Sequence, residues 1–185
     1  GQIHALVGES GSGKSLIIKA IVGAIPQRWR VTADRMTWRG QDLLTMSVKD
    51  RRKVIRSDIS VIFQNPKNSL DPLQTLGEQL TEIVPENRIE SRLFWRRTKE
   101  REKIVIELLH RVGIKDHKLC MQSYAHQISN DVCQKFMIAM ALVSEPKLII
   151  ADDPTRGMEV TAKSQILKLL SRVNQVRKLS VLFVS

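Results

Sequence analysis

Eight consecutive residues carry the plainest chemistry in this sequence: Gly8, Glu9, Ser10, Gly11, Ser12, Gly13, Lys14 and Ser15. Holding a triphosphate requires many donors around dense negative charge, with no side chains in the way. Glycines at 8, 11 and 13 let the backbone curl so that successive N–H groups point inward as an anion nest. The positive end of a helix starting near Lys14 adds to that field. In this pattern the lysine reaches the β- and γ-phosphates, the Ser15 hydroxyl ligates Mg²⁺, and Leu16 closes the set of residues expected around ATP. With glycine near 7% of average usage, the full pattern arises by chance on the order of once in a hundred such chains. A glycine-rich turn without a ligand is the bland alternative, and the flanking residues speak against it.

A phosphate loop also needs a carboxylate from a second strand for the magnesium shell. Leu148, Ile149, Ile150 and Ala151 form an apolar run that delivers Asp152 at its end, where open α/β sheets place their ligands. Asp153, next in sequence, is placed to polarise an attacking water. Alone, two aspartates before Pro154 would read as a cap or turn; together with the loop they read as a site.

These side chains need elements to hold them. The apolar residues 3–7 predict a short, buried, central strand ahead of the loop. Residues 14–22 predict a helix with Leu16, Ile17, Ala20 and Ile21 on its apolar stripe, stopped by Gly23 and followed by Pro26. Residues 35–38 read as a strand entering a turn over 39–41. Ser47 with Asp50 approximates a capping box, opening a basic helix through Ile55, and residues 59–63 form a second core strand.

From 66 to 146 the strand signals vanish and helical spacing takes over, as in Ile104, Leu108, Leu109 and Val112. Within it, the charge-dense residues 88–103 are interrupted by Leu93, Phe94 and Trp95. They predict an exposed helix with one anchoring face. Residues 147–151 return to a strand, 160–173 to a helix with Ile166, Leu167, Leu169, Leu170 and Val173 on one side, and a last strand begins at Ser180. The plan is an α/β P-loop NTPase (RecA-like) parallel-sheet core, residues 1–66 and 146–185, with a partial β-subdomain around 27–42. An α-helical subdomain is inserted at 67–145.

The composition fits such a domain: 42% of the 185 residues are apolar and 26% charged. The longest apolar run, residues 136–143, falls far short of the roughly 18 residues that span a bilayer. Membrane contact must then come through a partner or a surface. Cys120 and Cys133 have neither metal-ligand spacing nor the number for a disulfide framework, which favours a reduced setting. A net charge of +11 points to nucleic acid, an anionic membrane surface or an anionic ligand, without choosing among them. The chain opens before one strand and stops inside another, so it reads as a segment of a longer protein.

In order and spacing, the motifs resemble the nucleotide-binding domains of ABC transporters. The phosphate loop comes first, then Phe63-Gln64 at a strand end. A helical insertion follows, then a short motif before Gln134-Lys135, and then Asp152-Asp153-Pro154-Thr155. The stretches Phe63-Gln64-Asn65-Pro66, Ser69-Leu70-Asp71-Pro72-Leu73 and Leu76-Gly77-Glu78-Gln79 narrow the likeness to the oligopeptide and dipeptide importer ATPases. The resemblance implies that Gln64 touches Mg²⁺ and senses a transmembrane subunit, that Asp153 holds the position of the catalytic carboxylate, and that Ser129 contacts the nucleotide of a second subunit in trans. It also implies a second ABC ATPase subunit as a heterodimeric partner and transmembrane permease subunits. Peptide is handled only through the permease or a binding protein, and the seat is the cytoplasmic face of a bacterial inner membrane.

Three departures from the family pattern follow. The signature Leu-Ser-Gly-Gly-Gln is Ile128-Ser129-Asn130-Asp131-Val132 here. Asn130 and Asp131 add bulk where backbone must approach a phosphate, and Asp131 adds a like charge. The catalytic Glu is Asp153, whose carboxylate sits about a bond length further back, and water positioning is sensitive at about 1 Å. The usual Asp of the following loop is Glu159. The expectation is an ATPase with an intact binding half and slow hydrolysis. Rival readings are a non-transport ABC ATPase on nucleic acid or ribosomes, another P-loop class, and a regulatory ATP-binding module. The short insertion, which opens like that of peptide importers, argues against nucleic acid as a partner. No guanine-reading Asn-Lys-x-Asp element is present.

Overall fold

Short runs of β-branched and aliphatic residues alternate with helical stretches, and the runs pair in parallel as that alternation requires. The computed structural model describes residues 1–26 and 28–185. Position 27, where the partial β-subdomain was expected to begin, lies outside the described residues. In chain order the elements are β1 (Ile3–Leu6), α1 (Lys14–Val22), β2 (Thr37–Trp38), β3 (Gln41–Asp42), α2 (Val48–Asp58) and β4 (Ile59–Ile62). Then come α3 (Pro66–Ser69), α4 (Leu76–Glu82), α5 (Phe94–Arg111), α6 (His117–Gln122) and α7 (Asn130–Val143). β5 (Leu148–Asp152), α8 (Val160–Arg177) and β6 (Ser180–Val184) close the chain.

The main sheet has the order β1-β6-β5-β4, all parallel. Its register pairs Leu6 with Val184, Val184 with Asp152, and Ala151 with Ile62. One end of the sheet therefore gathers the exits of all four strands. Ile62, Ile149, Ile150 and Val184 are fully or almost fully buried. β1 departs from expectation: it lies at the sheet edge, paired only with β6 among the described residues, and Ile3, His4 and Ala5 are exposed. The chain after β1 is nonetheless held, since Ser185 N–H donates to Leu6 O and Gly8 N–H to Ser185 O.

β2 and β3 form an antiparallel hairpin, with Trp38 opposite Gln41. Gln41, expected in the turn, belongs to β3, and the turn is only Arg39-Gly40. Both residues are left-handed (φ 50° and 83°), as a two-residue hairpin turn with strand-like twist demands. The Trp38 indole donates to Asp58 at 2.9 Å, fastening the hairpin to the end of α2. Ser47 Oγ accepts the Asp50 N–H at 3.1 Å and starts α2, which runs on to Asp58, beyond the predicted stop. From α2, Arg51 reaches the last carbonyls of α1, donating to Ala20 O and, at 2.9 Å, to Ile21 O. Burial of this guanidinium lowers its pKa.

The residues between β4 and β5 contain helices and no strand. α7 is their centre: Phe136, Ile138 and Ala139 are fully buried, against Val105, Leu108 and Leu109 of α5 and Leu76 and Leu80 of α4. Each of these side chains larger than Ala139 contributes about 1.5–3 kcal/mol on leaving water. Gly77 lets α4 meet α6, because a Cβ there would stand 2.7 Å from Met121 O. Burial pushes the Cys120 thiol up to about 11 and raises Cys133 as well, so both act as small apolar fillers.

α5 corrects one expectation. The helix begins at Phe94, not 88, and its anchoring face is Ile104, Val105, Leu108 and Leu109. Leu93, Phe94 and Trp95 instead stand in solvent at 43%, 82% and 64% exposure. Local pairing bends the chain before them. Arg97 and Arg101 both bind Glu86, and Glu100 accepts the N–H groups of Glu90 and Ser91. Among the described residues, no helix is long and apolar enough to cross a membrane.

Candidate functional site

β1 ends at Leu6, and the chain must turn sharply to enter α1. Gly11 and Gly13 make that turn in left-handed conformations, φ 84° and 93°. Gly8 serves differently: its φ is ordinary, but a Cβ there would press to 3.0 Å against the Ser12 hydroxyl. Gly13 caps α1 with no side-chain bond. Among the described residues the N–H groups of Gly11, Gly13, Lys14 and Ser15 have no intramolecular acceptor. An uncapped helix end of this kind is an anion site. Lys14 Nζ is turned back onto the loop, donating to Gly8 O at 2.6 Å and Glu9 O at 2.8 Å. Glu9, Ser10 and Ser12 form the exposed outer curve, Ser12 N–H donating to Glu9 O. Leu16, half exposed, starts the helical bonding with its N–H on Gly13 O.

The parallel register brings the remaining predicted residues to this loop. Asp152 ends β5 beside Val184, and the loop leaves β1 one strand further on. As a result Ser15 Oγ donates to Asp152 Oδ1 at 3.2 Å. These are hard oxygen ligands from loop and strand, and their chemistry fits Mg²⁺, which is held by one or two protein oxygens together with substrate phosphates. No group of three or more His, Cys, Asp or Glu able to hold a metal occurs among the described residues.

Two residues past the Ile62–Ala151 pair, Gln64 and Asp153 meet: Gln64 Nε2 donates to Asp153 Oδ2 at 3.3 Å. Asp153 is left-handed at φ 41°, held by its N–H on Val184 O at 2.7 Å. Asp is among the few residues that accept that region readily. The structure thus brings Lys14, Ser15, Gln64, Asp152 and Asp153 to one end of the sheet.

Ser129 lies elsewhere, at the start of α7, where its Oγ accepts the Val132 N–H at 3.3 Å. Asn130 and Asp131 form the first turn, and Ser129 and Asn130 are exposed. Glu159 stands at the N-cap position of α8, where its carbonyl accepts the Lys163 N–H but its side chain makes no cap bond. A cavity of about 290 Å³ separates this region from the sheet end, lined by Gln64, Asn65, Asn130, Gln134 and Arg156. Gln134 is 2% exposed and its Nε2 has no partner among the described residues. Sequence reasoning used Gln134 only as a landmark and did not single out Arg156; the available signal was an amide at the start of the apolar part of α7. A larger cavity, about 1090 Å³, lies at the opposite end of the sheet between Trp38, Lys147 and the C-terminal end of α8, remote from the phosphate loop.

The model of the ABC transporter family matches residues 1–156. The peptide transport system ATP-binding protein SapD of Salmonella typhimurium is 49% identical over all 185 residues, which cover 56% of that protein. The dipeptide transport ATP-binding protein DppD of Escherichia coli K12 is 37% identical, again over the whole chain and 55% of the relative. The chain thus spans a little over half the length of the curated relatives it matches. Among solved structures, cbiO1 of Clostridium perfringens, part of an ABC transporter complex, superposes with a TM-score of 0.79 at 24% identity, over the whole chain and 66% of cbiO1. A post-hydrolysis ATP-binding cassette dimer bound to ADP and Pi gives 0.77 at 24% identity, over 74% of that chain. At this identity the two structures speak for the fold: a parallel-sheet α/β core of the P-loop NTPase kind.

Proposed function

The chain belongs to the ABC transporter family, and on that premise we propose that it forms most of the ATP-binding domain of a peptide transporter subunit. That subunit couples ATP binding, and slow hydrolysis, to peptide transport across the inner membrane. The meeting of Ser15 with Asp152 and of Gln64 with Asp153, at the strand ends beside an uncapped helix, carries the reading.

Each residue has a task in that reading. The free N–H groups of Gly11, Gly13, Lys14 and Ser15, with Gly8, Glu9, Ser10 and Ser12 shaping the curve, hold the phosphates, and Leu16 extends the cradle into α1. Lys14 exchanges two neutral carbonyl acceptors for phosphate oxygens, a charge-assisted and stronger pairing. Ser15, Asp152 and Gln64 hold Mg²⁺, which when bound spreads the charge of the transferred phosphoryl group. Asp153 orients the attacking water, and Gln64, bonded to it, reports its position toward the helical residues 67–145, which we read as a subdomain inserted into the core of 1–66 and 146–185.

Hydrolysis is slow for two reasons. The Asp153 carboxylate is one methylene short of the family's Glu, and Asn130 and Asp131 crowd the helix end that Ser129 offers in trans to a second ATPase. The working unit is a heterodimer of two ABC ATPases on permease subunits, peripheral to the cytoplasmic face of a bacterial inner membrane. Peptide meets only the permease or a binding protein, and nucleic acid is not a partner. The eroded Asn130-Asp131 pair also favours, in second place, a regulatory subunit that binds ATP and leaves turnover to its partner. The test is ATP binding and steady-state hydrolysis by the full-length protein, alone and with its partner ATPase. Binding without appreciable turnover is expected alone. Hydrolysis by the lone subunit at the rate of Glu-containing relatives would overturn the assignment.

A further inference from the structure

The cavity of about 1090 Å³ at the far end of the sheet takes no part in the nucleotide site. Its floor is apolar. Leu108 and Leu142 are buried, Leu169 and Val173 half-buried, and Val176 stands at the lip, 76% exposed. Three helices, α5, α7 and α8, end beside it. A helix C-terminus carries roughly half a negative charge, so some cations belong there without any ligand.

The lining holds more cations than that requires. Arg39, Arg111 and Arg177 are paired, with Asp58, Glu107 and Glu145 in turn. Glu145 is the one carboxylate in the lining, and Arg177 at 3.5 Å shares it with Arg88 at 3.6 Å. His110 is engaged with His117, Nε2 to Nδ1, at 3.0 Å. Lys147, Arg172 and Lys178 remain, all exposed and without a carboxylate partner among the described residues. Against these three charges stand about one and a half from the three helix ends, so the rim keeps a positive surplus.

The walls are braced. Lys147 N–H donates to Asp58 O at 2.7 Å, and Lys147 O accepts the Ser180 N–H at 2.9 Å. Trp38, on the hairpin side, is fastened to the same Asp58. Arg88 also donates to Val143 O at 2.9 Å, fixing the end of α7. A cavity held open in this way costs a ligand little ordering of the protein.

We propose that this cavity binds a small anionic amphiphile, with an acyl-like chain on the apolar floor and a carboxylate among Lys147, Arg172 and Lys178. Its volume is that of a small-molecule site, which runs to roughly 1,000 Å³. Charge complementarity selects this occupant: a neutral apolar molecule leaves the surplus unused, and nucleic acid, which needs only cations, leaves the floor unused. The inference is independent of the nucleotide reading.

The test is calorimetric titration of the full-length protein with decanoate, below its micelle-forming concentration, beside decanol and acetate. Expected is decanoate binding at least fivefold tighter than decanol, and no measurable binding of acetate. Octanoate should bind about tenfold more weakly than decanoate, since each buried CH₂ contributes roughly fourfold. Lys147→Gln with Arg172→Gln should weaken decanoate at least threefold, the scale of exposed ion pairs, and leave decanol unchanged. Val176→Asp should weaken decanoate at least threefold. These three side chains are exposed, and unchanged circular dichroism and ATP binding verify that the variants are folded. No decanoate binding, equal affinity for decanoate and decanol, or binding insensitive to the double variant would each overturn the proposal. Displacement of decanoate by ATP would overturn it by placing the anion at the phosphate loop, and binding of anionic vesicles in place of dissolved decanoate would overturn it in favour of a lipid surface.

Discussion

Two helices of this molecule begin at motifs that the family resemblance marks as phosphate-facing, and they begin in opposite ways. α1 starts at Gly13, left-handed and without a side-chain cap, and its first turn carries no acid. α7 starts at Ser129, whose hydroxyl takes the Val132 N–H, and its first turn carries Asp131. The first end leaves its donors open; the second has supplied its own acceptor and its own negative charge. A helix end that satisfies itself gains about 1 kcal/mol of fold stability, and it gives up part of its pull on an anion. In the proposed ATPase pair the two helix ends stand on either side of that choice.

The comparison breaks most readily at Lys14. Lys14→Ala should weaken ATP binding by roughly 10- to 100-fold, as expected for losing a hydrogen bond to a charged group, read by titration of the full-length protein. A loss below threefold would mean that the open N–H groups alone hold the nucleotide. Asp153→Glu comes next. Turnover with the partner subunit should rise about tenfold, since the carboxylate advances toward the water. The same change should lower the thermal midpoint, because Glu tolerates φ 41° less well than Asp. Unchanged turnover would place the block elsewhere.

Changing the second helix end sharpens the contrast. Asn130→Gly with Asp131→Gly should increase hydrolysis in the partner's site while destabilising this chain by about 0.5–1 kcal/mol, for two glycines in place of Asn and Asp at a helix start. Denaturant unfolding and partner turnover read the two effects separately. The smallest effect belongs to a cap far from phosphate. At α4, Thr75 and Glu78 form a reciprocal capping box, and the Thr75 bonds hold the Glu78 carboxyl below its ordinary value. A depressed carboxylate stabilises the fold above its unfolded pKa and ceases to do so as the pH falls through the folded one. Thr75→Ala should therefore lower the melting midpoint at pH 7 and lower it less under acid conditions, measured as the difference in melting between variant and parent at the two pH values.

Much of this arrangement was legible before any coordinates. The span of α1 follows from its apolar stripe and from Gly23, and Asp152 at the end of β5 follows from a short Ile-rich run. The phosphate loop is local, so its residues announce it. The Gln64–Asp153 bond is not local: it depends on the register of β4 against β5, which no periodicity encodes. The role of Gly8 was misread because close approach to Ser12, unlike a positive φ, depends on where a neighbouring side chain turns. The start of α5 was misplaced because Glu86 and Glu100 bend the chain through contacts 10 to 15 residues apart, while a charge-rich stretch reads as helix throughout.

Arg51 gives the phosphate loop a fixed rear mount. Its guanidinium grips Ala20 and Ile21, the far end of the helix that Gly13 begins. The expected motion of the loop on taking up or releasing a nucleotide is a swing of α1 about that end, like a gate on its hinge post. Amide exchange should record it as a gradient along one short helix, fast at residue 15 and slow at 24, where the Ala24 N–H is held by Lys19 O. α2 in turn holds the Trp38 hairpin through Asp58, so one chain of contacts joins the far end of α1 to that hairpin.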